Sequence, residues 1–208
     1  LLLSYVAGGR VLELKTVQIN DRLTIPRPCI DAANVGFNVE WSQELKLEES
    51  LAEYVSGWYL IHILKAMNPA RALPAQLTTL FDFSVGYDLK GIQSDPVARW
   101  LDALQDAGGA LAKLRDGLPP ALRPYADVEV PASLSRCITL STFHGCPAGE
   151  IERIVEHLYA RHGVHVVVKL NPTLLGYERV EALLRGQLGY DELHLDRKYF
   201  DDDLQWDQ

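Results

Sequence analysis

Residues 164–170 are Val164-His165-Val166-Val167-Val168-Lys169-Leu170, an almost unbroken run of branched apolar side chains that ends beside a cation. Such a run is typical of a strand in a parallel sheet that helices cover on both faces. Four similar short runs predict further strands, at 11–17, 80–86, Cys137–Ser141 and 192–195. The last three of the five begin about 27 residues apart, which suits a strand, a crossover helix and the return. The sequence therefore predicts an α/β fold with a parallel sheet.

Helical patterns separate these runs. Asp95 is a natural N-cap before Pro96. Gly163 and Gly189 are suited to close helices. The proline-rich stretch 117–131 is predicted to be a surface loop. Four helices are predicted, over Leu47–Met67, 95–115, 147–161 and 177–188.

The composition suits one globular domain. The chain has 208 residues, is 48% hydrophobic and carries a formal net charge of -8, which argues against nucleic acid as a partner. Its three cysteines form no Cys-x-x-Cys pair, so we expect no metal site and a reducing, cytoplasmic setting. No apolar run is long enough for a membrane helix.

The two ends of the sequence predict a fragment. The chain begins with Leu1 rather than Met and ends at Gln208, soon after the last strand pattern and without a closing helix. We therefore expect 1–208 to be a single incomplete domain of a larger chain with several modules.

Two lysines stand in or at the end of apolar strand patterns. Lys15 lies in 11–17, and Lys169 ends 164–170 and is followed by the amide of Asn171. Ligands of parallel α/β folds bind outside the carboxyl ends of the strands, so an anionic cofactor between the lysines would explain both. The alternative is that each forms a structural salt bridge, Lys15 with Glu13 or another strand carboxylate.

The sequence 141–147 places His144 and Cys146 between a strand and a helix. With Pro147 at the first helical position, Cys146 would lie at the N-terminus, where the helix dipole stabilises a thiolate or a bound anion. His144 could exchange a proton near neutral pH. The alternative is a tight turn without chemistry.

Three other polar segments carry candidate residues. Asn38, in the aromatic loop 34–41, could cover a planar ligand or only brace the barrel mouth. Asp82 and Ser84 alternate with apolar neighbours and are predicted to point into the barrel, whereas 201–203 is predicted to be a solvated turn.

These segments resemble the family named "putative selenate reductase subunit". The motifs are Glu-Leu-Lys-Thr-Val-Gln, Pro-Cys-Ile-Asp-Ala, Gly-Phe-Asn-Val-Glu-Trp, Thr-Leu-Ser-Thr-Phe-His-Gly-Cys-Pro and Val-Lys-Leu-Asn-Pro-Thr-Leu-Leu-Gly-Tyr. The amino-terminal part of those long proteins is similar to the flavin barrels of dihydroorotate and dihydropyrimidine dehydrogenases. The resemblance implies a partial TIM-type (β/α) barrel, with the five runs as strands two to six of eight.

The resemblance also implies roles for residues. Lys15, Thr16, Lys169 and Asn171 match positions that contact FMN, and Asn38 resembles a loop asparagine that contacts substrate. Cys146, helped by His144, resembles the catalytic acid/base.

Two departures from the dehydrogenase pattern concern this site. Thr139 stands where those enzymes usually have Asn, and the interval to Cys146 is longer than theirs. The glycine-rich loops that cradle the flavin phosphate normally follow strands seven and eight, so we expect this fragment to bind flavin poorly alone.

The resemblance implies an oxidoreductase in which NAD(P)H delivers electrons through FAD and iron–sulfur clusters in other modules to the barrel. The other subunits of a reductase or molybdenum hydroxylase complex are possible partners. One alternative is a flavin-free barrel that serves as a structural or docking module. Another is an aldolase-like barrel in which Lys169 forms a Schiff base.

Overall fold

A computed structural model describes residues 1–14, 46–67, 78–142 and 146–207, together with the backbone of 30–31 and 37–38. Its strands in these ranges are β1 (Val11–Glu13), β2 (Ile30–Asp31), β3 (Phe37–Asn38), β4 (Leu80–Val85), β5 (Cys137–Ser141) and β6 (His165–Lys169). Its α-helices there are α1 (Leu2–Val6), α2 (Leu47–Met67), α3 (Leu89–Ile92), α4 (Asp95–Gln105), α5 (Gly108–Asp116), α6 (Ile151–His162), α7 (Tyr177–Glu181) and α8 (Lys198–Asp201).

Four of these strands form one parallel sheet in the order β1-β4-β5-β6. Strands β2 and β3 form a separate antiparallel pair. The pairing places Glu13 opposite Asp82, and Ser141 opposite Lys169. Helices lie between the successive strands, which is the arrangement of a TIM-type barrel. The predicted α/β class with a parallel sheet is confirmed.

One face of the sheet packs against the helices. The side chains of Phe81, Phe83 and Ile138 are 0–1% exposed, because α2 and α4 cover this face and pack on each other. The indole of Trp100 in α4 contacts Phe83, with ring centroids 6.0 Å apart, and its Nε1 donates to Ser50 Oγ at 3.0 Å. The core therefore lies between the sheet and its helical layer.

The other face is concave. In β1 the residues alternate, with Val11 and Glu13 exposed and Leu12 buried. Glu13 and Lys169 lie in the two outermost strands of the sheet, yet Lys169 Nζ is 2.7 Å from Glu13 Oε1. Three strand spacings are about 14 Å in a flat sheet, and strand side chains stand roughly perpendicular to it. The two side chains meet because the sheet curls, as in part of a barrel.

One of the five predicted strands is wrong. Residues 192–195 form no strand. They lie in the connection between α7 and α8 and are mostly exposed. A strand needs a neighbour for its backbone N–H and C=O groups, and the described part of the sheet ends at β6. The described sheet thus corresponds to four of the five predicted strands. The end of the predicted strand 11–17 lies outside the described residues.

Three helix predictions also need correction. The predicted helix 95–115 is two helices, α4 and α5, with Ser94 rather than Asp95 at the N-cap. The helix predicted from residue 147 starts as a 3-10 turn, Ala148–Glu150, before α6. The helix predicted over 177–188 changes at residue 182 from α7 into a π-helix, Ala182–Gln187. The predicted loop 117–131 contains the 3-10 helix Pro120–Tyr125.

The two glycine closures are confirmed. Gly163 ends α6 with φ 62°, in the left-handed region, and Gly189 follows the π-helix with φ 73°. A side chain at φ values in this range would be strained, whereas glycine adopts them readily.

None of the helices in the described ranges has the length and apolar character needed to cross a membrane.

Candidate functional site

The concave face of the sheet carries a polar cluster around Asp82. Thr139 Oγ1 donates a hydrogen bond to Asp82 Oδ2, so the prediction that Asp82 points into the barrel is confirmed. The other oxygen, Asp82 Oδ1, is buried and has no hydrogen-bond partner. A buried acceptor without a donor is costly, so this oxygen is suited to accept a hydrogen bond from a bound group.

Cys137 lies beside the same carboxylate. Burial, the hydrogen bond to Asp82 and its negative charge raise the pKa of the Cys137 thiol to about 11. The Cys137 side chain is half-buried. Near neutral pH it is therefore a protonated thiol that donates to Asp82.

Lys169 ends β6 on the concave face. Its Nζ donates to Glu13 Oε1 at 2.7 Å, and the two side chains are 46% and 45% exposed. For Lys169 the salt bridge that the sequence offered as the alternative is therefore present, with Glu13 as its partner. Lys169 nevertheless remains accessible from the open side of the sheet.

A second polar cluster lies just past the end of β6. Asn171 Nδ2 donates to Asp203 Oδ2 at 2.9 Å and to Thr142 Oγ1 at 3.2 Å, and Thr173 Oγ1 also donates to Asp203 Oδ2. Thr142 Oγ1 in turn donates to the Lys169 carbonyl at 2.8 Å. Both protons of the Asn171 amide are therefore used within the protein.

Asp203 is the acceptor that holds this cluster together. Burial acts to raise the pKa of Asp203, but hydrogen bonds from Thr173, Asn171 and the Leu204 N–H outweigh it, and the pKa is lowered. The prediction that residues 201–203 are a solvated turn is wrong for Asp203. A run of three aspartates gives no sign of which carboxylate returns to the sheet, so the sequence carried no signal for it.

Cys146 is buried, with 9% of its surface exposed. Burial and the negative charge of Glu150 raise the pKa of the Cys146 thiol to about 11. The predicted thiolate at a helix N-terminus is therefore not found. The reason is geometric, since Pro147 and the 3-10 turn Ala148–Glu150 separate Cys146 from the first turn of α6.

Glu150 joins two loops at the carboxyl ends of β4 and β5. Its Oε2 accepts a hydrogen bond from the Leu89 N–H at 2.7 Å, at the start of α3, and its Oε1 lies 3.3 Å from Arg153 Nη2. Sequence reasoning missed this residue, because its partner is 61 positions away.

Several predicted site residues lie outside the described residues. Lys15, Thr16 and His144 are in this group, so their predicted contacts stay predictions. For Asn38 the structure describes only the backbone, which pairs with Ile30 in the hairpin of β2 and β3.

The site residues that the structure describes fall into three places. Lys169 is on the concave face, Asn171 is at the end of β6 and Cys146 is in the core beside Glu150. Lys169 and Asn171 are linked through Thr142. Among the described residues no group of three or more His, Cys, Asp and Glu is placed to hold a metal ion.

Comparison with known proteins identifies the family. A family model described as "Oxidoreductase YgfK, N-terminal TIM-barrel domain" matches residues 1–208. The chain is 38% identical over 224 residues to "Putative oxidoreductase YgfK" of Escherichia coli K12, and equally to the protein of that name in Escherichia coli O157:H7. Each match covers 99% of this chain and 21% of the relative, so the chain spans about a fifth of the relatives' length. No solved structure gives a significant match. The chain belongs to the family of N-terminal TIM-barrel domains of the oxidoreductase YgfK.

Proposed function

We propose that this chain is the FMN-type barrel module of a longer oxidoreductase resembling a selenate reductase. In that protein NAD(P)H, FAD and iron–sulfur clusters would belong to other modules, and the barrel would reduce or oxidise a small molecule. The oxidoreductase family and the TIM-type architecture support the proposal.

The observation that carries the proposal is the pairing of a donor and an acceptor on one concave face. The half-exposed Lys169 ammonium is a donor, and the buried Asp82 Oδ1 is an acceptor without a partner. A flavin ring presents both carbonyl oxygens and an N–H group, so the two protein groups fit its edge. When bound, FMN would supply the hydride chemistry.

The remaining roles follow from the resemblance and from the chemistry of the described side chains. Lys169, with Lys15 and Thr16, would bind the ring and favour its reduced anionic form. Asn171 supports the end of β6 through Asp203 and Thr142, so we assign it an orienting role.

Cys146 is proposed as the catalytic acid. A thiol with a pKa of about 11 is protonated at neutral pH, so the role proposed for it is that of proton donor rather than base. His144 would return that proton, and Asn38 would orient the substrate.

The test is to purify the full-length protein, release bound cofactors by denaturation and identify them by chromatography. The proposal predicts one FMN per chain in addition to FAD. A protein that contains FAD and iron–sulfur clusters but no FMN, even after incubation with FMN, would contradict it.

One observation favours a second function, a flavin-free barrel that serves as a structural or docking module. On the described concave face, Glu13 and Asp82 supply two carboxylates, and the Lys169 ammonium is already paired with Glu13. An anionic ring would have to compete with Glu13 for this lysine. If full-length protein lacks FMN but loses its partner subunits when the barrel is deleted, this second function is supported.

A further inference from the structure

We infer that Glu13 is a positioning residue for Lys169, holding its ammonium over the concave face and setting the charge that it presents to a bound flavin. The inference rests on the proposed function, since it concerns the same site. It adds a residue that the sequence resemblance did not assign to the cofactor.

The geometry singles out this pair. Glu13 lies in β1 and Lys169 in β6, the two outermost strands of the described sheet, 156 positions apart in sequence. Their 2.7 Å contact is in the range of a strong charge-assisted hydrogen bond. A lysine has a long, flexible stem, and this one ends a strand at the open side. Without Glu13 its ammonium would be free to turn toward solvent.

Stability alone does not account for the pair. Both side chains are nearly half exposed, and an exposed ion pair contributes only about 0–1 kcal/mol to folding. The main physical effect of Glu13 is to fix the position of the Lys169 ammonium and to offset part of its positive charge.

Among the described strand residues of this face, the other titratable groups are Asp82, Cys137 and His165. Asp82 lies opposite Glu13 in the register of β1 and β4 and accepts a hydrogen bond from Thr139. Cys137 lies beside Asp82, and His165 lies at the opposite end of β6 from Lys169. Within the described residues, Glu13 is the carboxylate that contacts Lys169.

The Glu13 carboxylate shifts the flavin potential in one direction. The paired carboxylate offsets part of the positive charge that Lys169 offers to a reduced, anionic ring. In Glu13→Gln the amide oxygen can still accept a hydrogen bond from Lys169 Nζ, but the negative charge is gone. Reduced flavin should then be favoured over oxidised flavin, and the midpoint potential should rise.

The experiment measures the FMN midpoint potential in the full-length protein. We expect Glu13→Gln to favour reduced over oxidised FMN about tenfold, a rise of about 30 mV for a two-electron couple. Lys169→Met should lower the potential. In the Lys169→Met background, Glu13→Gln should shift the potential by less than half of what it does when Lys169 is present, because nothing then holds Glu13 over the face.

Controls and a conservative variant separate the outcomes. Glu156→Gln, on the exposed side of α6, removes the same charge away from the site and should leave the potential unchanged. Glu13→Asp keeps the charge but shortens the reach, so its potential should lie closer to that of the unsubstituted protein. Glu13→Ala, which also removes the charge and should also raise the potential, replaces Glu13→Gln if that variant does not fold.

Each negative result has a distinct meaning. If FMN binds but Glu13→Gln shifts the potential no more than Glu156→Gln does, the inference about Glu13 is overturned and the proposed function stands. If Glu13→Gln must be replaced, a Glu13→Ala potential that shifts no more than that of Glu156→Gln overturns it equally. Absence of FMN from the unsubstituted protein overturns the proposed function, and the inference with it.

Discussion

The pKa of the Cys146 thiol is determined by burial and a nearby carboxylate rather than by a helix dipole. Burial and Glu150 raise its pKa to about 11, so at pH 8 about one thiol in a thousand is ionised. We predict slow alkylation by iodoacetamide at pH 7–8, with a rate that climbs about tenfold per pH unit up to about pH 10. Mass spectrometry of the Cys146 peptide measures this rate, and a plateau reached near pH 8 would show a thiolate instead.

Asp203 gives a prediction about stability and pH. Its folded-state pKa is lowered by hydrogen bonds that outweigh burial, so its contribution is present above the unfolded value of about 3.9 and is lost as pH falls through the folded value. Asp203→Asn should lower the free energy of unfolding by about 1–2 kcal/mol at pH 7. Denaturant titrations should show this difference shrinking below about pH 4.

The matched control for that prediction is Asp202→Asn. Asp202 is the exposed neighbour of Asp203, so its substitution should change the unfolding free energy by less than about 0.5 kcal/mol. Equal effects of the two substitutions would mean that the hydrogen bonds of Asp203 add nothing to stability.

At single residues, sequence reasoning succeeded where strand alternation decides direction. Asp82 and Lys169 were expected on the interior face because their neighbours are apolar, and both lie there. Asp203 and Glu150 were missed because their partners are distant in sequence, and nothing in local composition encodes such a contact.

At the scale of elements, β4 and α4 show what holds the sheet to its helices. Phe83 is 0% exposed and packs against Trp100. Phe83→Ala should lower the free energy of unfolding by about 3–5 kcal/mol, through lost burial and the cavity that remains. Urea unfolding followed by circular dichroism measures the change.

A strand residue on the open side provides the comparison for Phe83. Val167 in β6 is 50% exposed, so Val167→Ala should cost less than about 1 kcal/mol. If both substitutions cost the same, the helical layer does not bury Phe83 as described.

The bounds of an element could be predicted where the sequence carries both a clear apolar periodicity and clear signals at its two ends. The bounds of α2 and β5 match the prediction, because apolar periodicity and strong end signals coincide there. Residues 192–195 have an alternating pattern but no paired neighbour in the described sheet, and pairing is not a local property. Helix α4 ends because the backbone of Asp106 is not helical, with φ -138° and ψ 87°. The sequence pattern did not indicate this break between α4 and α5.

Across the whole molecule, the chain spans about a fifth of the length of the relatives that it matches, and the proposed function makes it one module of a longer protein. If Cys146 is the acid of this module, its loss should affect only the step at the barrel. In the full-length protein, Cys146→Ala should slow substrate turnover at least 100-fold, the lower range for acid–base catalysis, and leave flavin reduction by NAD(P)H within about twofold.

Rapid-reaction kinetics separates those two steps. The control is Val155→Ala, which removes apolar volume where α6 packs against the core, away from the proposed site. Small and equal effects of Cys146→Ala on both steps would remove Cys146 from the chemistry.

The concave face around Lys169 is proposed to bind a flavin ring. Its most direct test is the affinity of FMN-free full-length protein for added FMN, measured by quenching of flavin fluorescence in three forms: unsubstituted, Lys169→Met and Lys113→Met, the last altering an exposed lysine of α5. We predict that Lys169→Met weakens binding at least tenfold and that Lys113→Met does not. Equal affinity in all three forms, or no FMN binding in any, would contradict it.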